Sequence, residues 1–412
     1  MDARPAQPRT AQAGTPSSFW PLTALAIGAF GIGTTEFSPM GMLREIAQGV
    51  SVDIPTAGLL ISAYAIGVMV GAPIMTLLLA RLRKRTALIA LMSIFALGNL
   101  LAALAPGYWT LVAARIITSL NHGAFFGLGS IVAASLVPRE RQASAIAAMF
   151  LGLTIATIGG VPAATWIGQA IGWRQTFAAT ALLGLLAMLV LYLALPQGEP
   201  GRMPDIKREL GAIAQRSVLT AMAATVLGAG AMFVLYTYVT SVLVEITHAG
   251  ASFITLALAL IGVGLTLGNT LGGRLADWSL DGAARLSLAA LGLIMMVLPL
   301  ALTSQWGAAI GLVVWGMAAF AIVPPLQMRV MQVASAAPGL ASSINVGAFN
   351  LGNALGAAIG SATLSQGLGY AAIPIAGGLL ALAGLVLTCL GNEKAPIPQT
   401  EPEVWSDCPD PT

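Results

Sequence analysis

Trp20-Pro21-Leu22-Thr23-Ala24-Leu25-Ala26-Ile27-Gly28-Ala29-Phe30-Gly31-Ile32-Gly33-Thr34-Thr35-Glu36-Phe37-Ser38-Pro39-Met40 carries a single charge, Glu36, in a stretch otherwise built for hydrocarbon. A helix over it is about 30 Å long, the thickness of a bilayer core. An ionised side chain in that core costs at least ~2.5–3.5 kcal/mol, and such groups face a cavity or a partner. The stretch therefore predicts both a membrane-spanning helix and the place where function sits.

The rest of the chain has the same character. Hydrophobic residues make up 57% and charged residues 8%, against about 25% charged in soluble domains. Twelve apolar runs reach crossing length: 20–40, 56–80, 86–105, 109–136, 144–167, 177–195, 218–243, 253–276, 286–302, 308–328, 341–364 and 371–390. Open sheets cannot cross hydrocarbon, so every run is a helix and the protein is an all-α polytopic membrane protein. Trp20, Trp109 and Trp306 stand at run ends, as interfacial anchors do.

Twelve crossings put both termini on one side. Of the nineteen basic residues, sixteen fall on that side, Arg44 and Arg174 on the other, and Arg115 inside a run. The side rich in Arg and Lys is the cytoplasm, so both tails are expected there and the setting is a bacterial-type inner membrane. The basic residues are too scattered for a nucleic-acid surface. Cys389 and Cys408 offer no disulfide framework. The first run is too long for a cleaved signal segment and carries a glutamate, while the polar residues before it read as disordered.

The longest polar break, 196–217, divides six runs from six. The expected parts are a tail (1–19), a six-helix bundle (20–196), a cytoplasmic loop (197–216), a second six-helix bundle (217–391) and a tail (392–412). A repeat at an offset of 197 residues links the halves: Gly67 and Gly71 match Gly264 and Gly268, Thr76–Ala80 match Gly273–Asp277, and Gln169, Gly172 and Trp173 match Gln366, Gly369 and Tyr370. Such parallel repeats place a binding site between the halves near the midplane.

Arg115 is the counterpart to Glu36. Glu36 lies about 24 Å along an outward-running helix, and Arg115 about 9 Å in from the outer face on an inward-running one, so both occupy the outer leaflet. A carboxylate alternating between apolar surroundings and a nearby arginine would bind and release a proton. A permanent ion pair, or two charges that never meet, fits the same spacing. His122, about 20 Å below the outer face, lies seven residues beyond Arg115 and so on the same helix face; it suits either a proton relay or a buried hydrogen bond. Asn345, Asn350 and Asn353 put amides in the eleventh run, where they face a ligand or another helix. Tyr64, Phe125, Phe126, Phe233 and Tyr236 are the aromatic candidates for a cavity wall, with Tyr238 and Trp315 behind them. No phosphate-binding glycine–lysine loop or metal cluster is present, so catalysis, cofactors and ATP hydrolysis are not expected; the energy source would be a proton gradient.

At these residues the chain resembles the major facilitator superfamily along its whole length. Gly273-Arg274-Leu275-Ala276-Asp277 is similar to the superfamily's loop signature after the eighth helix, while the copy ending in Ala80-Arg81-Leu82-Arg83-Lys84-Arg85 keeps only the basic cluster. Arg115 matches the fourth-helix arginine of proton-coupled members, and Gly160-Val161-Pro162 the fifth-helix antiporter motif. Thr35-Glu36-Phe37-Ser38-Pro39-Met40-Gly41 and Asn121-His122-Gly123-Ala124-Phe125-Phe126-Gly127 resemble the drug:proton antiporter-1 group, in its arabinose-efflux and YdhP-type branch. The resemblance implies two pseudo-symmetric six-helix bundles, alternating access and proton-driven export; the branch holds both drug and sugar exporters, so the substrate does not follow from it. With so few charges in the runs, small neutral or weakly cationic molecules are the expected cargo, and a monomer the expected state. Together with the depth argument it puts expected proton coupling at Glu36, Arg115 and His122, gating at Gly160, Pro162, Arg81 and Asp277, and substrate contacts at a set that includes Asn121. An inward proton symporter, or a membrane sensor that transports nothing, are the competing readings.

Overall fold

The computed structural model describes residues 18–52, 54–198 and 205–390. The expected disordered tails, with Arg4, Arg9, Lys394 and Cys408, and Arg202 of the central loop lie outside the described residues. Ten helices are long and apolar enough to cross a membrane: Thr56–Leu79, Lys84–Ala103, Tyr108–Ser135, Arg139–Ala170, Trp173–Ala194, Arg216–Thr247, Ser252–Trp278, Leu280–Ala301, Gln305–Val333 and Ala372–Leu390. Two more, Phe19–Gly41 and Pro338–Ser365, have the length but not the uniformly apolar composition. In chain order these make spans 1 to 12. The two less apolar members are spans 1 and 11, which hold Glu36 and the three asparagines.

Helix pairing repeats between the halves. Span 1 packs on span 5 as span 7 packs on span 11, span 3 on span 6 as span 9 on span 12, and span 2 on span 4 as span 8 on span 10. Spans 5 and 8 meet across the halves, as do spans 2 and 11. The 197-residue offset is thus a structural repeat. Its glycines explain the close approach: the Gly264 and Gly268 positions lie against the span 10 backbone at Val313 and Met317, and Gly352 and Gly356 against span 7 at Val226 and Gly230. Where lipid is as apolar as leucine, such small-residue contacts supply the packing that holds helices together.

Four spans are irregular, among them span 10, which is interrupted at Ile322 just before Pro324 and Pro325. Span 4 is broken between Ser119 and His122. Span 5 contains a π-helical turn, Ala156–Gly160, just before Pro162; the Val161 N–H reaches back to the Ala156 carbonyl, five residues earlier. Proline has no N–H to continue an α-helical ladder, and π turns are a recorded way of absorbing the mismatch. Span 1 ends with Pro39 inside its last turn. The segment expected to be a plain loop between the bundles contains a helix, Ile206–Ile213, whose N-cap Asp205 accepts a hydrogen bond from the Arg208 N–H. Ala212 and Ile213 on it are buried against Val330, Ala337 and Leu340 of the second half. Trp20, Trp109 and Trp306 are exposed at span ends, where anchors belong.

Candidate functional site

Between the halves lies a cavity of about 80 Å³ to which both contribute. Span 1 supplies Glu36 and Phe37, span 4 His122 and Phe126, and span 5 Phe150, Leu153 and Thr157. Span 7 supplies Phe233 and Tyr236, span 10 Phe320, and span 11 Phe349, Asn350 and Asn353. Glu36 is the single carboxylate in this lining, and the walls around it are mainly aromatic. Phe126 stacks on Phe150 with centroids 4.9 Å apart, and Tyr236 lies parallel to Trp315 at 6.4 Å. Stacking of this kind fixes the orientation of the wall rings Phe126, Phe150 and Tyr236. The Asn350 amide donates to its own helix at the Val346 carbonyl, 3.0 Å away, which leaves its oxygen as the group on offer.

Arg115 does not share the cavity wall. It is buried behind Glu36, with one guanidinium N–H donating to the Thr35 carbonyl at 3.0 Å and the guanidinium carbon 4.2 Å from the centre of the Tyr64 ring. Its Nε and second terminal nitrogen make no hydrogen bond. Pro39 explains the choice of partner. The Thr35 carbonyl would accept from the N–H four residues on, and proline has none, so arginine takes that place. Arg115 therefore binds the backbone beside Glu36, not its carboxylate.

Tyr64 connects the two candidate residues of span 4. Its ring lies under Arg115, and its hydroxyl is 3.2 Å from His122 Nδ1. Arg115 and His122 both meet Tyr64, as a seven-residue spacing along one helix face expects, but they do not share the cavity: His122 lines it and Arg115 does not.

Several expected wall residues serve elsewhere. Phe125 is fully buried against span 1, its ring occupying the space a β-carbon at Gly28 would need. Asn121 is buried in the span 4 break, and neither of its side-chain polar atoms makes a hydrogen bond. Asn345 donates to Gln327 at 2.7 Å, and Gln327 donates to Ser342 at 2.6 Å, a polar stitch between spans 10 and 11. Tyr238 donates to the Ala357 carbonyl of span 11 at 3.0 Å.

The end of the bundle where span 1 begins is closed between the halves. Asp277 at the foot of span 8 accepts from the Ala143 and Ser144 N–H groups at 2.8 and 3.1 Å, satisfying the first turn of span 5. Asn269 donates to the Ala147 carbonyl at 2.7 Å. At the equivalent seam Thr76 donates to the Ser343 hydroxyl at 2.7 Å, and Ser342 to the Gly127 carbonyl at 3.1 Å. Of the expected gating residues, Asp277 lies in this closure and Arg81 is exposed at the foot of span 2. Gly160 and Pro162 lie at the π turn, but Gly160 is not a free hinge: a β-carbon there would overlap the Thr34 hydroxyl of span 1, whereas Gly159 has open surroundings.

Sequence reading missed Asn99, Asn269 and Gln327, each a buried amide in an apolar run. The signal was available, since an amide in hydrocarbon needs a partner.

With the geometry in place, comparison with known proteins is direct. The family model described as Major Facilitator Superfamily matches residues 25–357. The chain is 61% identical over 377 residues to "Inner membrane transport protein YdhP" of Escherichia coli (strain K12), covering 92% of this chain and 97% of the relative. It is 32% identical to "Chloramphenicol resistance protein" of Streptomyces lividans (89% and 95% covered) and 31% identical to "Probable sugar efflux transporter" of Pasteurella multocida (93% and 95%). Among solved structures, the fucose:proton symporter FucP of Escherichia coli shares the fold with a TM-score of 0.73 at 15% identity, over 90% of this chain and 98% of that one. The cavity between two repeated six-helix halves, the matched family model and these relatives agree: this chain belongs to the Major Facilitator Superfamily, a multi-pass inner-membrane transporter and not an enzyme.

Proposed function

We infer that the protein is a proton-coupled exporter, with both tails in the cytoplasm, that moves small lipophilic, neutral or weakly cationic molecules outward in exchange for protons. The observation that carries this reading is the cavity itself. A single carboxylate, Glu36, faces aromatic walls at the junction of the halves, with the end where span 1 begins held shut. A proton reaching Glu36 from the open side removes the charge that the apolar walls oppose, and closing the outer side then carries a neutral site across. On the cytoplasmic side the proton leaves and a substrate enters. His122, held by Tyr64, lines the same cavity and is a candidate relay for the proton. Arg115 fixes the backbone on which Glu36 rides.

The wall chemistry favours drugs over sugars. A polyhydroxylated substrate would strand its hydroxyls against phenyl rings, at a cost of the order of 1–3 kcal/mol for each unpaired group. Flat apolar molecules would stack on the rings. One relative is named for chloramphenicol resistance and another for sugar efflux, so both substrate classes belong in the test. Proteoliposomes with an imposed proton gradient are given chloramphenicol, ethidium or xylose. Gradient-driven accumulation of either aromatic compound, abolished in Glu36→Gln while downhill exchange persists, is the expected result. Xylose accumulation, or full pumping by a folded Glu36→Gln, would overturn it.

A further inference from the structure

We propose that Asn99, on span 3 and outside the cavity wall, is a positioning residue for Glu36, acting through the hydroxyl of Thr35. The proposal rests on the reading of Glu36 as the proton carrier.

Thr34 and Thr35 behave differently although they are neighbours on one helix. Thr34 returns its hydroxyl to its own helix, donating to the Phe30 carbonyl at 2.8 Å, the usual habit of a threonine in a helix. Thr35 turns away and donates to Asn99 Oδ1 at 2.5 Å. The amide is oriented for this, because its nitrogen donates to the Phe95 carbonyl of span 3 at 2.9 Å and only its oxygen is left to face span 1. Thr35 and Asn99 are both fully buried, so no competing water weakens the bond.

Thr35 is thus gripped twice. Its hydroxyl is held by span 3 and its carbonyl, freed by Pro39, by Arg115 of span 4. Two fixed points on one residue set both the height and the rotation of the helix there. The next residue is Glu36, whose side chain is the part that must face the cavity. The ionisable groups around that carboxylate are Arg115 and Tyr64 behind it and His122 and Tyr236 across the cavity. A small rotation of span 1 changes the distances to all four. Arg115 alone pins one atom and leaves rotation free; Asn99 removes that freedom.

The test needs no substrate. Purified protein in lipid is titrated while infrared difference spectra follow the carboxyl band, with Glu36→Gln identifying the band that belongs to Glu36. Asn99→Ala and Thr35→Val are expected to move its midpoint by about half a pH unit or more, since one such hydrogen bond and one pH unit are similar in free energy. The double variant is expected to move it no further than either single one, and Thr35→Ser, which keeps the hydroxyl, is expected to leave it in place. Thr35→Val is nearly isosteric and stands in if Asn99→Ala does not fold. Midpoints of Thr35→Val and Asn99→Ala equal to the parent's would overturn the proposal and leave the proton reading standing. No band lost in Glu36→Gln would overturn the proton reading itself.

Discussion

The closure between spans 5 and 8 invites a quantitative test, because one side chain makes two of its hydrogen bonds, beside the one from Asn269. Asp277 accepts from two backbone N–H groups in the first turn of span 5, in the other half of the protein. Removing such an N-terminal acceptor costs roughly 0.5–2 kcal/mol, and the charge at a helix N-terminus adds about 0.3–1 kcal/mol. When the halves part, water takes over both N–H groups, so the loss falls on the closed state alone. Asp277→Ala is therefore expected to lower the closed-to-open ratio by ~1–3 kcal/mol, or roughly 5- to 150-fold. Asp277→Asn, which keeps one oxygen and loses the charge, is expected between that and the parent. Spin labels at Leu82→Cys and Ala336→Cys, on opposite halves at the same end, report the separation by electron–electron resonance once the two natural cysteines are serine. The parent should show one short distance and Asp277→Ala a second, longer population. Superimposable distributions would mean that the bonds stabilise span 5 equally in both states, and the gating argument would fail.

Other outcomes follow from the same geometry. Gly28→Ala sets a methyl group into the Phe125 ring and should lower thermal stability by about 1–3 kcal/mol, with recovery when Phe125→Leu is added. Thr76→Val removes one neutral hydrogen bond at the second seam and should open it by only ~0.5–1.5 kcal/mol, measured with the same labels. Phe126→Ala unstacks Phe150 and should weaken ethidium binding, read by fluorescence titration, while leaving the Glu36 infrared band intact. Glu209, on the short helix between the bundles, is raised above the usual carboxylate range first by burial and then by the neighbouring Asp205. Its folded form holds a proton more tightly than its unfolded form, so its ionisation opposes docking. That helix should loosen as pH rises through and above the ordinary carboxylate range, and a spin label on it should lose this dependence in Glu209→Gln.

Sequence and structure agree where the physics is one-dimensional. A carboxylate in an apolar run is costly whatever the run packs against, so Glu36 was legible. The 197-residue offset was legible because glycines mark contact points that a duplicated fold reuses. What spacing could not provide is azimuth. A helix apolar on every side has no face that declares itself, so Phe125 and Phe126, adjacent in sequence, could not be sorted into packing and cavity wall. Sharing a helix face did not decide depth: Arg115 and His122 both meet Tyr64, yet only His122 lines the cavity. The hydrogen bond from Arg115 to Thr35 was concealed differently. It follows from the missing N–H of Pro39, a chemical vacancy that becomes visible only when the helix register is known.

The two seams of the closed end are unequal. One is fastened by a full negative charge on a helix terminus, the other by hydroxyls. A zipper with one row of weaker teeth opens along that row first, so the halves swing about the span 5–span 8 edge instead of separating evenly. The first gap is then expected as a slot between spans 2 and 11, two helices of opposite halves that pack along one another. On the proposed orientation, with that end cytoplasmic, a molecule dissolved in the inner leaflet is expected to meet that slot before one dissolved in the cytosol, and membrane partitioning would be the first step of selection.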